Sequence, residues 1–273
     1  MIVFPNCKIN LGLHILQKRA DGFHDLETIF YPISIQDGLE VIQNSITTSD
    51  EVDISSSGLP IDAEKEDNIC YKAYQLLKQD FPELPAVKMH LHKVIPSGAG
   101  LGGGSADGAF TLLLLNKKFN LGLNDQRLTQ YAFQLGSDCP FFILNRTCFA
   151  TGRGEILEPL HLDLSDYNIV VVNPGIHINT GWAFSQIAAA TEHQSLKQIV
   201  ALPVKEWKEH LKNDFEKPVF SHYPEIETIK KQLYKQGAIY ASMTGSGSTV
   251  YGLFEKNVQV QLSFPPHYFV KSI

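Results

Sequence analysis

Chemistry concentrates in one stretch of this sequence, Pro96-Ser97-Gly98-Ala99-Gly100-Leu101-Gly102-Gly103-Gly104-Ser105-Ala106-Asp107, where five of the seven residues from 98 to 104 are glycine. Glycines admit positive φ and close backbone approach, and the start of a helix leaves N–H groups unpaired at the positive end of its dipole. An alternating pattern (Val87, Met89, Leu91) precedes the stretch and a Leu-rich helical pattern follows it. Such a loop is a phosphate cradle that needs no lysine; the plain alternative is a glycine-rich structural turn.

The neighbours narrow the choice of nucleotide loop. No Gly-Lys-Ser/Thr follows, which excludes a Walker loop. A dinucleotide fold needs an acidic residue about 20 positions on, at a strand end. Here the chain reads Lys117-Lys118-Phe119-Asn120-Leu121-Gly122, the end of a helix. The V-A-I-K, H-R-D and D-F-G segments of protein kinases are absent.

Other candidate groups are less distinctive by themselves. Ile9, Leu11, Leu13 and Ile15 alternate with Lys8, Asn10, Gly12 and His14. Lys8 and Asn10 therefore share a strand face, expected to point away from the core, and spacing alone reads Lys8 as a solvated strand residue. Phe23 and His24 sit at the exit of an Asp21-Gly22 turn, where His24 reads equally well as a structural histidine. Asp138 lies in Gly136-Ser137-Asp138-Cys139-Pro140, expected to be a short Asx-type turn at the mouth of an apolar strand, Phe141 to Ile143. His90 and His92 share a strand face at a spacing a metal could use, with no third ligand apparent nearby.

The elements that must position these groups follow from pattern and punctuation. Strands are expected at Phe23–Phe30, Leu39–Ile42, Val87–Leu91, Asn168–Val172 (parallel-like), Ala238–Met243, Thr249–Glu255 and Tyr268–Ser272. Helices are expected from an Asp67 or Asn68 cap to about Asp80, with Ile69, Ala73, Leu76 and Leu77 buried, and from a Ser105 cap through Leu115. Further helices are expected at Asp125–Leu135, 180–190, Pro203–Leu211 and Pro224–Gln236. Residues 44–66 are polar and read as a surface hairpin with loops, and Thr151-Gly152-Arg153-Gly154 as a hairpin turn with a domain boundary near 152.

Composition bounds the class. With 273 residues, 44% of them hydrophobic, the chain suits two domains. A net charge of −6 without a long Lys/Arg run argues against a nucleic-acid or anionic-membrane surface. Cys7, Cys70, Cys139 and Cys148 form no C-x-x-C and read as reduced, mostly buried thiols. No signal-like opening and no run of 18 apolar residues appear, so a soluble, cytoplasmic protein is expected.

Three separated pieces, Pro5-Asn6-Cys7-Lys8-Ile9-Asn10-Leu11, Pro96 to Ala106 and Met243-Thr244-Gly245-Ser246-Gly247, occur in the order and approximate spacing of the GHMP kinases. The chain resembles that family over nearly its whole length. Arg19-Ala20-Asp21-Gly22-Phe23-His24 and Gly136-Ser137-Asp138-Cys139-Pro140-Phe141-Phe142 resemble the branch that phosphorylates a cytidyl-linked methylerythritol in the non-mevalonate isoprenoid route.

The resemblance implies an α+β fold: a ribosomal-protein-S5-like ATP-binding domain (1–152) and a ferredoxin-like domain (153–273) completing a substrate cleft. It implies ATP with Mg²⁺, and Lys8 and Asp138 as the catalytic pair. Asp138 would take the proton of the 2-hydroxyl; Lys8 would hold Asp138 ionised and stabilise charge at the reacting oxygens. ATP phosphates would lie on Pro96, Ser97, Gly98, Ala99, Gly100, Leu101, Gly102, Gly103, Gly104, Ser105 and Ala106, with Ser105 nearest the phosphates or the metal and no protein-built metal cage. Substrate would contact Asn10, Phe23, His24, Thr180, Phe184, Thr244 and Gly245. Phe23 and Phe184 would sandwich the cytosine, and His24 would read its polar edge; base stacking is worth about 1–3 kcal/mol. Gly108 stands where the family usually has alanine, at about 1 kcal/mol of helix propensity. Other readings are a homoserine or mevalonate type of GHMP kinase, or a non-catalytic ligand sensor on the same fold. The oligomeric state is not specified by the sequence.

Overall fold

A computed structural model describes residues 1–44, 51–61, 64–187, 194–261 and 263–273. The chain runs β1 (Ile2–Val3), β2 (Asn6–Lys18), β3 (His24–Gln36), β4 (Gly38–Gln43), β5 (Val52–Gly58), α1 (Ile69–Asp80), β6 (Val87–Lys93), α2 (Gly103–Phe119), α3 (Asp125–Leu135) and α4 (Cys139–Leu144). Then come β7 (Cys148–Thr151), β8 (Ile156–Pro159), β9 (Tyr167–Asn173), α5 (Thr180–Ser185), α6 (Leu196–Val200), α7 (Trp207–His210), α8 (Glu216–His222), α9 (Pro224–Lys235), β10 (Tyr240–Met243), β11 (Val250–Glu255) and β12 (Phe269–Ser272). Two compact units result: Met1–Cys7, Ser34–Ser97 and Gly102–Asn145 form the first, and Lys8–Ile33, Gly98–Leu101 and Arg146–Ile273 the second. No helix among the described residues is long and apolar enough to cross a membrane.

In the first unit, a sheet of order β1-β4-β6-β5 is covered on one face by helices. The alternation along β6 buries Val87, Met89 and Leu91 and leaves Lys88, His90 and His92 on the open face. The expected hairpin at 44–66 is not what forms: 52–58 is β5, paired parallel with β6. Residues 45–50 and 62–63 lie outside the described residues. Parallel pairing requires a crossover, which α1 provides. The polar composition of β5 suits its open face, where the Ser55 and Ser57 hydroxyls hydrogen-bond the His90 and His92 rings.

Asn68 caps α1 as expected, its side chain accepting the Cys70 N–H at 2.9 Å. The buried stripe is Cys70, Ala73, Tyr74 and Leu77, turned slightly from the expected one because Ile69 packs sideways against α2. A Cβ on Gly108 would lie 2.7 Å from Ile69 Cγ1 and 2.9 Å from Ile69 Cδ1. The glycine therefore does more than weaken a helix: it lets α1 and α2 approach.

In the second unit, one sheet has the order β2-β3-β7-β8 and another the order β10-β11-β9-β12. β9 pairs antiparallel with both β11 and β12, which corrects the parallel-like expectation. Its continuous apolar run, Ile169 to Val172, reflects a central strand buried on both faces, a condition either orientation satisfies. β2 is likewise buried on both faces from Asn6 to Ile15, so Lys8, Asn10 and His14 are interior, not solvated. The core joins Leu13, Ile15, Val170, Val172, Phe215 and Leu233. The hairpin at 151–154 forms between β7 and β8. The helix expected over 180–190 is shorter, α5, and 188–190 lie outside the described residues. At 203–211 a 3-10 turn (Val204–Glu206) precedes the short α7.

The first unit also contains an ionic cluster that no motif announces. Lys93 Nζ donates to Asp37 Oδ2 at 2.5 Å and Asp107 Oδ2 at 2.7 Å, and all three residues are buried. Burial, above all, pushes the Asp107 carboxyl up to about 7, against the pull of the Lys93 ammonium; the Asp37 charge and a hydrogen bond to Asp37 act with burial. Burial pulls Lys93 down, but the two carboxylates outweigh it and hold its pKa above the ordinary value.

Two outcomes follow from this packing. Gly108→Ala removes about 1 kcal/mol of helix penalty but forces an overlap that costs about 1–3 kcal/mol. The variant is expected to be less stable in urea denaturation, and a higher midpoint would refute the packing account. For Asp107, the folded chain holds a proton that the unfolded chain releases from about pH 4 upward, so this group's contribution to stability falls from about pH 4 to 7 and is level above. The Tm difference between wild type and Asp107→Asn should drift against the wild type across that window; a constant difference would show that Asp107 does not titrate there.

Candidate active site

The glycine-rich stretch links β6 to α2. Gly102 takes φ 70° as the helix cap, and the first intrahelical bond runs from Ala106 N–H to the Gly102 carbonyl at 2.9 Å. The N–H groups of Gly103, Gly104 and Ser105 thus stand outside the helical ladder, as an anion site requires. Ser105 lies inside the first turn and is not the cap, which corrects the expected helix start. The left-handed Gly102 begins the helix three residues earlier than a serine cap would. Ser105 lies near the Cys139 thiol and favours its ionised form, an effect that burial outweighs.

Phe141 to Ile143, expected as a strand, belongs to α4, with Asp138 at its N-terminal boundary and Pro140 in its first turn. Proline with φ preset near −65° favours a helix start, and all five residues from Cys139 to Ile143 are buried. Within the first unit, α4 packs against α2, and Asp138 directly precedes Cys139, the first residue of α4. Burial pushes the Cys139 thiol up to about 12, so at neutral pH it is a packing group and not a nucleophile.

In the second unit, Lys8 is 3% exposed, and its ammonium bonds polar groups there. Nζ donates to Asn10 Oδ1 at 2.6 Å and the Gly100 carbonyl at 3.0 Å, and lies 5.1 Å from the Phe30 ring centroid. The Lys8 backbone N–H also donates to the Leu101 carbonyl at 3.0 Å. A buried ammonium demands such partners, because desolvation penalises the charged form. Asn10 is held in turn: its Nδ2 donates to Thr28 Oγ1 at 2.9 Å, and its backbone N–H to Thr244 Oγ1 at 3.0 Å. The Thr244 hydroxyl lies 3.1 Å from both Asn10 Oδ1 and the Gly100 carbonyl, and the Tyr251 hydroxyl donates to the Asn10 carbonyl at 2.9 Å.

Gly98–Leu101 lies against 244–249. A Cβ on Gly100, whose φ is +84°, would sit 2.1 Å from the Thr244 carbonyl oxygen, and one on Gly247 would sit 2.3 Å from the Ala99 carbonyl carbon. The small-residue loop 244–248, which alone reads as a hairpin turn, therefore packs against the glycine-rich stretch as part of one architecture. Gly245 lies beside Asn10, and the Thr180 hydroxyl reaches Ser246 Oγ at 3.3 Å.

The aromatic candidates are arranged in two pairs. His24 stacks on Phe184 with centroids 4.8 Å apart and planes 17° from parallel, and Phe184 meets Phe215 edge to face. Phe23 is 48% exposed, with the Arg153 guanidinium 3.5 Å above its ring. Phe23 and Phe184 thus each face a different neighbour. Sequence reasoning missed Arg153, Thr28 and Tyr251 as supports; the pattern that could have pointed to them is the turn glycines around Arg153 and the alternation that puts Thr28 on one face of β3.

The close approach at Gly100 is directly testable. Gly100→Ala should destabilise the chain by about 2 kcal/mol or more, from strain and overlap together. Gly104→Ala, whose Cβ would meet nothing within 4 Å, should not. Equal thermal midpoints for the two variants would refute the backbone-to-backbone contact.

Comparison with known proteins agrees with this architecture. Residues 68–146 match the GHMP kinases N terminal domain and residues 195–264 the GHMP kinases C terminal domain. The 4-diphosphocytidyl-2-C-methyl-D-erythritol kinase of Bacteroides fragilis is 54% identical over 261 residues, covering 95% of this chain and 94% of its own. A crystal structure of 4-(cytidine 5'-diphospho)-2C-methyl-D-erythritol kinase superposes with a TM-score of 0.80 at 31% identity, covering 93% of this chain and 90% of that one. The mevalonate kinase of Methanococcus jannaschii shares the fold, with a TM-score of 0.68 at 12% identity over 94% of this chain and 92% of its own. Two-domain α+β architecture, glycine loop and 54% identity over 95% of the chain converge: the chain belongs to the 4-diphosphocytidyl-2-C-methyl-D-erythritol kinases of the GHMP kinase family.

Proposed function

We propose that this chain transfers the γ-phosphoryl group of ATP to the 2-hydroxyl of 4-(cytidine 5'-diphospho)-2-C-methyl-D-erythritol, a cytoplasmic step of non-mevalonate isoprenoid synthesis. The observation that carries the reading is the buried Lys8 ammonium bonded to Asn10 and to the Gly100 carbonyl of the glycine loop. A desolvated cation beside a backbone anion cradle suits phosphoryl transfer, which asks for positioning and charge stabilisation above all. The four buried free thiols support a reducing compartment.

In this reading Asp138 accepts the hydroxyl proton as the oxygen attacks the γ-phosphorus. The bond from that oxygen to phosphorus forms as the bond to the β-phosphate oxygen breaks, releasing ADP. Lys8 supplies positive charge to the reacting oxygens. The loop from Pro96 to Ala106 holds the phosphates through backbone N–H groups, and Asn10, Thr180, Thr244 and Gly245 contact the acceptor. His24, Phe23 and Phe184 recognise the cytosine, a role supported by the flat ring faces of the two pairs.

Mg²⁺ is assigned to the ATP phosphates. The oxygen-rich, water-retaining coordination of Mg²⁺ would suit an ion carried by the phosphates, with Ser105 the side chain that would lie nearest. When bound, it neutralises charge on the β- and γ-phosphate oxygens. Along the sequence, 1–152 would be the ATP-binding part and 153–273 the part completing acceptor recognition, a reading supported by the two family domains on either side of residue 152; the compact units divide the chain differently, with Lys8–Ile33 and Gly98–Leu101 in the second.

The test is ADP release with the cytidyl compound against homoserine, mevalonate and galactose. Turnover is expected with the cytidyl compound alone, and Asp138→Asn should lower kcat by about 10²–10⁴-fold without unfolding the chain. Comparable turnover on another acceptor, or full activity in the variant, would overturn the assignment.

A further inference from the structure

The Asp37–Lys93–Asp107 cluster takes no part in the mechanism above, yet it touches both ends of the glycine loop. At the entry, Asp37 Oδ1 accepts the N–H groups of Val94 and Ile95 at 2.6 and 2.9 Å, the first two residues after β6. At the exit, Lys93 Nζ bonds Asp107 Oδ2 on α2, and a Cβ on Gly103 would meet Ile95 Cγ2 at 2.7 Å and Lys93 Nζ at 3.2 Å. One ammonium therefore ties the strand that enters the loop, the turn at Asp37 and the helix that leaves it.

Stability is a weak reason for such a cluster. Buried ion pairs can often be replaced by apolar groups at no loss, because desolvating the charges offsets their attraction. Here the arrangement is also incompletely satisfied, since Asp107 Oδ1 is buried with no hydrogen-bond partner. What the ions do supply is direction: each contact has a defined length and angle, and together they set the spacing between Ile95 and Gly103 across which the loop must arch.

We propose that Lys93, with Asp37 and Asp107, is a positioning device for the nucleotide loop, setting ATP affinity by clamping the two ends of the cradle. The inference rests on the reading of that loop as the ATP phosphate site. It locates a determinant of nucleotide binding in the buried base of the loop, away from the glycines.

Steady-state kinetics with ATP and the cytidyl acceptor, plus calorimetric titration of ATP, test it. The near-isosteric Asp37→Asn and Asp107→Asn should each raise the KM and Kd for ATP about 5-fold or more. Both should leave kcat and the acceptor KM within about 2-fold and retain cooperative unfolding. Lys93→Met should show a larger effect of the same kind; if it does not fold, the two isosteric variants decide. Unchanged ATP affinity in those variants overturns the inference, as does a parallel loss in kcat and both KM values, which marks general loosening. Failure of the wild-type chain to bind ATP overturns the cradle reading and the clamp together, and is told apart by the wild-type titration.

Discussion

The candidate site depends on bare backbone meeting bare backbone. Gly98–Leu101 and 244–249 come so close that a single methyl at Gly100 or Gly247 would overlap a main-chain atom. The approach exposes the Gly100 carbonyl to both the Lys8 ammonium and the Thr244 hydroxyl, each about one hydrogen bond away. A side chain at either glycine would force the loops apart and leave a desolvated cation short of a partner, a cost of several kcal/mol in a buried setting. The glycines at 100 and 247 are thus what allows the two loops to meet.

Burial then turns ordinary polar residues into a network. Lys8 and Asn10 lie on a strand covered on both faces, so each donor must find an acceptor inside the protein. The bonds pass from Lys8 to Asn10, from Asn10 to Thr28, and from Thr28 to the Gly12 carbonyl at 2.6 Å. Such a chain fixes the rotamers of its members. The second buried cluster, around Lys93, applies the same physics at the base of the loop.

The aromatic candidates make a different kind of contact. The pairs His24–Phe184 and Arg153–Phe23 present flat, polarisable faces with polar edges, a combination suited to a heteroaromatic base. Phe215 meets Phe184 edge to face and limits how that ring can turn. Within the second unit the loop contacts are therefore made by backbone, and the aromatic pairs by side chains.

By itself the sequence determined the strand and helix order around Pro96 to Asp107 and the turns at Gly22 and Gly152, and motif resemblance singled out Lys8 and Asp138 as candidates. These are local: period, capping and glycine density are written in neighbouring residues. Tertiary structure decided the rest. Alternation showed that Lys8 and Asn10 share a face, but not that the face is covered, since the covering residues Thr244 and Tyr251 lie more than 230 positions away. The apolar run at Ile169–Val172 announced a buried strand, and only its partners β11 and β12 made it antiparallel. Phe141–Ile143 read as strand because a short apolar run has no period to betray a helix; packing against α2 and Pro140 settled it. Lys93 bonded to Asp37 and Asp107 had no signature at all, because an ion pair between residues 56 positions apart exists only once β6, the Asp37 turn and α2 have been brought together.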